Sequence, residues 1–174
     1  MSLDWPAMFG RKSPPEPQTA DAHLLVAVRA ALPEADADTI AIVSACAGLL
    51  AAVAYADREF SATERERVRG LLETVSGIGP LGAQAVAKVL EAQVVELSTV
   101  HATRFTRTLK ELGDLELRLH VLGMLVELCA SDGELRHAEV VLLRQTASSL
   151  GLEQADYNRL QARHASKLTL RGGS

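Results

Sequence analysis

Two short acidic stretches recur in the 174-residue chain, and both carry oxygen donors of the kind that hold metal ions. The first, AYADREFSATERERV, begins at Ala54, and the second, CASDGELRHAEVVLL, begins at Cys129. Each reads Asp-x-Glu-apolar-x-x-x-Glu, giving Asp57, Glu59 and Glu64 in one copy and Asp132, Glu134 and Glu139 in the other. Carboxylates are hard ligands that favour calcium, magnesium or manganese. The spacing matches the second half of an EF-hand loop, where Asp, Gly, an apolar residue and a closing Glu take the fifth, sixth, eighth and twelfth positions. The first half is missing. Its first and third ligand positions fall on Val53 and Tyr55 in one copy and on Leu128 and Ala130 in the other, so neither turn can supply six oxygens alone. Two such turns facing each other across a pseudo-two-fold axis could pool all six carboxylates into one divalent-cation site.

The same residues also have a purely structural reading. Ser61 followed by Glu64 forms a capping box, and Glu139 favours the positive N-terminal end of its helix. Asp57 and Asp132 can end the preceding helices, with Gly133 supplying the left-handed conformation such turns need. Glu59 and Glu134 are not readily accounted for by capping. Both readings stay open at this level.

Other chemistry is thinly represented. Cys46 and Cys129 lie among Ala, Leu and Val with no His expected on the same face, so they read as small core residues rather than nucleophiles. His137 follows the second acidic turn closely enough to join a metal site, although its position favours the exposed face of a helix. His120 and Glu116 have i,i+4 spacing without forming a His-Glu-x-x-His motif, and there is no Gly-rich phosphate loop. No catalytic residue is expected, and the chain reads as non-enzymatic.

The turns must be positioned by helices. Hydrophobic residues make up 48% of the chain but aromatics only 3%, so Ala, Leu and Val fill the core, which favours close-packed helices over sheets. Helical stripes run through Leu24, Leu25, Val28 and Leu32 before Pro33, through an almost wholly apolar stretch from Asp36 to Asp57, and through Val68, Leu71, Leu72 and Val75. A fourth stripe follows Gly79 and Pro80. The pattern then repeats, with helices over 99–112 and 115–131, one carrying Val140, Leu143, Ala147 and Leu150, and one carrying Tyr157, Leu160, His164 and Leu168. An offset of 75 residues lays Asp57 on Asp132, Glu59 on Glu134 and Glu64 on Glu139. The expectation is a single all-α domain over 21–168, built from two four-helix repeats, 21–97 and 99–168, related by pseudo-two-fold symmetry.

Residues 1–20 contain Pro14, Pro15 and Pro17 and too few apolar residues for a core, which predicts a disordered or loosely docked tail. Within it, Leu3, Trp5, Met8 and Phe9 form an apolar cluster suited to docking on a partner or folding back onto the body. Residues 169–174 read as a flexible end. The stretch 39–56 has no charge, but it is dominated by Ala and reads as a buried helix, not a membrane span. A formal net charge of -4 without a basic patch argues against nucleic acid, and the absence of a basic-apolar leader together with free thiols argues for the cytoplasm.

The words YADREFSATE and CASDGELRHAE resemble the tellurite-resistance TerB-like family, whose relatives include the N-terminal region of a DnaJ-like membrane chaperone. The resemblance runs from about Asp21 to Lys167. It implies an all-helical cytoplasmic stress-response or adapter module with a divalent-metal site on Asp57, Glu59, Asp132 and Glu134, and less securely on Glu64 and Glu139. Two departures bear on that site: Arg58 stands where the family usually has Gly, and Arg136 where Ser is usual. Both lower the local density of negative charge. Thiols can also be oxidised by tellurium oxyanions, but burial of Cys46 and Cys129 would slow such chemistry. If the turns are only caps, the alternative is a scaffold that binds a protein partner.

Overall fold

The structure, a computed structural model, describes residues 19–132 and 135–171, with the backbone alone described for Val100, Asp132 and 166–171. The apolar cluster from Leu3 to Phe9 and the rest of the expected tail through Gln18 lie outside the described residues, as do Gly133, Glu134 and 172–174.

Among the described residues there are eight α-helices and no strand. They are α1 (Ala20–Ala31), α2 (Ala37–Ala54), α3 (Ala62–Glu73), α4 (Gly79–Glu96), α5 (Ala102–Leu112), α6 (Leu115–Cys129), α7 (His137–Ser149) and α8 (Gln154–Arg171). The starts are written locally. Asp36 caps α2 by accepting the Thr39 N–H at 2.7 Å, and Asp114 caps α6 by accepting the Leu117 N–H at 2.8 Å. Each interaction of this kind stabilises a helix by about 1 kcal/mol.

α2 is the hub of the domain. It packs against α1, α3, α4, α5 and α6, which is why it is apolar on nearly every side. It is also the one helix among the described residues long and apolar enough to cross a membrane, yet 67% of that stretch is buried inside the fold. Packing, not lipid, therefore explains its composition. α6 takes the equivalent place in the second half, touching α2, α3, α7 and α8.

The repeat is most faithful in its last three helices. A shift of 75 residues carries α4 onto α8, the start of α3 onto that of α7, and the last residue of α2 onto that of α6. The first helices diverge: α1 packs on α2 and α4, whereas α5 lies across α2 at Gly48 and also touches α7. Between the halves, the backbone passes from α4 into α5 through a π-helical segment, Leu97–His101, in place of the helix start expected at Thr99. This wider turn buries Leu97 and His101. His101 Nε2 lies 3.3 Å from Glu96 Oε1, and Glu96 Oε1 in turn accepts the Ala20 N–H at 3.3 Å, tying the start of α1 to the end of α4.

Candidate functional site

Both acidic turns leave a buried helix and enter an amphipathic one. In the first, α2 ends at Ala54 with Tyr55 as its C-cap, and the Asp57 carboxylate folds back to accept the Glu59 N–H at 3.0 Å. Arg58 N–H donates to the Tyr55 carbonyl at 2.8 Å, which places Arg58 at φ 67°. That is left-handed backbone, costing a side-chain-bearing residue about 1 kcal/mol more than glycine. The conformation, not a ligand role, explains why glycine suits this position. In the second turn, α6 passes through a 3₁₀ segment, Ala130–Asp132, and the position aligned with Arg58 is Gly133, outside the described residues.

The two turns converge. Asp57 and Glu64 from the first half and Glu139 from the second line one cavity of about 200 Å³ between α2, α3, α6 and α7. Its inner wall is apolar, with Val53, Ala54, Leu128 and Cys129 all buried. Two guanidinium-bearing residues, Arg67 and Arg136, join the carboxylates in lining it, so the local charge is mixed. Arg136 was read from the sequence as a substitution for serine. Arg67 was not singled out, although its i,i+3 spacing from Glu64 puts both on one face of α3.

Capping uses part of this carboxylate set. Glu64 Oε2 accepts both the Ser61 N–H and the Ser61 hydroxyl at 2.8 Å, while the Glu64 N–H donates to Ser61 Oγ at 3.2 Å, completing the box. Glu139 Oε2 accepts the Arg136 N–H at 2.7 Å. A guanidinium has no acceptor, so the reciprocal half of that second box is missing. In both glutamates the cap engages one oxygen, and a carboxylate has two.

Of the other sequence candidates, Glu59 is exposed and does not line the cavity. Asp132 has its backbone in the 3₁₀ segment with no side chain described, and Glu134 lies outside the described residues. Among the described residues, no three His, Cys, Asp or Glu side chains stand together closely enough to hold a metal ion. His137 begins α7 and does not line the cavity either. Burial pushes the Cys129 thiol up to about 12, with Glu139 adding to the shift, and burial alone pushes Cys46 up to about 12. Both thiols therefore stay protonated at neutral pH and serve as packing groups.

An all-helical repeat domain that brings Asp57, Glu64 and Glu139 from its two halves to one cleft is the class that fold and site define. The family model of tellurite resistance protein TerB matches residues 43–162, a span that includes both turns, and the chain belongs to that family. No curated protein and no solved structure matches it.

Arg58 gives a direct test of the turn geometry. Arg58→Gly is expected to raise stability by up to about 0.5 kcal/mol, because release of left-handed strain narrowly exceeds the extra entropy of an unfolded glycine. Urea unfolding of the two proteins measures it. A variant less stable than the parent would show that the arginine side chain contributes more than its backbone costs.

Proposed function

We propose that this chain is a non-catalytic, cytoplasmic stress-response module of the tellurite-resistance kind that binds a divalent cation between its two acidic turns. The observation that carries this reading is the convergence of Asp57, Glu64 and Glu139, from opposite halves of the repeat, on one cavity. Hard oxygen donors suit calcium, magnesium or manganese. The described carboxylates do not make a cage by themselves; in this reading Asp132 and Glu134 complete the ligand set. A bound cation would supply positive charge where carboxylates of both halves meet, linking the repeats and making stability depend on the ion. With Arg67 and Arg136 beside the site, the expected affinity is weak, with a Kd on the order of 10⁻⁴–10⁻³ M.

Calorimetric titration of chelator-treated protein with calcium, magnesium, manganese and zinc tests this, with an Asp57→Asn, Asp132→Asn double variant alongside. The expected result is saturable binding of one or more of the first three ions, lost in the double variant. No heat of binding at millimolar ion would leave the carboxylates as helix caps and favour the alternative of a protein-interaction scaffold.

A further inference from the structure

We propose that the apolar N-terminal segment Leu3–Phe9 folds back into the groove between α1 and α4 of its own chain. The groove, about 520 Å³, is lined chiefly by Ala22, Val26 and Ala27 of α1 and by Lys88, Val89 and Ala92 of α4. Val26 is 68% exposed, and Val95, one turn beyond Ala92 on α4, is 59% exposed. Branched apolar side chains on a helix surface carry an unfavourable contact with water that a covering group removes. This groove lies on the α1/α4 side of the bundle, among residues that do not line the acidic cavity.

The tether identifies the occupant. α1 and α4 are antiparallel, since the Ala20 N–H donates to Glu96 near the end of α4, so the groove opens close to where residues 1–18 join the helix. The nine residues 10–18 can span roughly 30 Å at about 3.3 Å each, whereas the α1 wall from Ala22 to Ala27 runs only about 8 Å. The segment has the matching chemistry: Leu3, Trp5, Met8 and Phe9 supply apolar surface, and its one acid, Asp4, is the counterpart of Lys88. A short tether also gives the segment an effective concentration in the millimolar range, well above that of a second copy in dilute solution.

Trp5 is the only tryptophan in the chain, so its fluorescence reports the segment directly. In the full-length protein, emission is expected to be blue-shifted from that of a free indole, with acrylamide quenching reduced several-fold. Val26→Asp and, separately, Ala92→Glu should return both readings to solvent values; these positions are exposed, and circular dichroism checks that helicity is unchanged. Val141→Asp, an exposed site on α7, should change neither. Solvent-like emission in the parent protein would overturn the proposal. So would shielded emission that survives both groove substitutions, which would place Trp5 elsewhere, or shielding that disappears on dilution, which would assign the groove to a second copy.

Discussion

Replacing Gly48 by valine is expected to cost the domain about 3 kcal/mol, because α5 lies against α2 at this glycine. A Cβ at Gly48 would lie 2.3 Å from Phe105 Cε2 and 2.5 Å from Cζ, well inside van der Waals contact. Phe105 is buried, with the His101 ring tilted against it at 6.2 Å between centroids, so its ring has little room to swing away. Helix propensity pulls the other way, since leaving glycine in a helix interior gains roughly 0.5–1 kcal/mol. Overpacking costs about 1–3 kcal/mol and more where backbones must separate, and a branched side chain places further atoms in the same space. Overpacking wins. Gly48→Ala should show a smaller loss, and Phe105→Leu should partly restore it by vacating the ring's volume, giving a favourable coupling in a double-mutant cycle. Urea unfolding of the four proteins measures this. A Gly48→Val protein as stable as the parent would mean that α5 does not rest on α2 at this point.

That crossing marks the limit of what the sequence discloses. Helices declare themselves through local spacing, and a shift of 75 residues carries the extent of α4 onto that of α8 although Gly79-Pro80 then falls on Gln154-Ala155, so the two starts are written by different residues. For the acidic stretches the sequence left two readings open, facing turns or helix caps, and the structure places Asp57, Glu64 and Glu139 around one cavity while Glu64 and Glu139 also cap their helices. Gly48 carried no such signal, because its partner Phe105 is distant in the chain and belongs to the helix where the repeat diverges. Glu59 was grouped with Asp57 by spacing, but the left-handed step at Arg58 between them sets the two side chains in different surroundings. Arg67 carries no sequence signal of its place at the cavity, because an arginine on a charged helix face looks solvated until the facing helix is known. The π-helical passage into α5 has no simple composition signature, and with it the burial of His101 went unread.

The last consequence of that passage is a buried carboxylate. Asp21, at the start of α1, accepts from the Thr19 hydroxyl and the Arg104 guanidinium, with His101 Nε2 3.9 Å from its Oδ1. Burial pushes its carboxyl up, but this is outweighed by the Thr19 hydroxyl, the charges of Arg104 and His101, and the Ala22 N–H, leaving it below its ordinary value of 3.8. A carboxylate whose folded pKa is depressed stabilises the native state fully above its unfolded pKa and loses that contribution as pH falls through the folded value. Asp21→Asn keeps the shape and removes the charge. Charge-assisted hydrogen bonds are stronger than neutral ones, so the variant is expected to lose about 1–2 kcal/mol at pH 7. The difference between the two proteins should persist down to about pH 4 and then narrow as the wild-type carboxyl takes up its proton. Thermal unfolding from pH 7 to pH 2 measures it. A gap that stays constant across the acid range would mean that the aspartate contributes through shape and neutral hydrogen bonds alone. A narrowing gap would assign to one ion-paired carboxylate the anchoring of α1 against the π-helical passage.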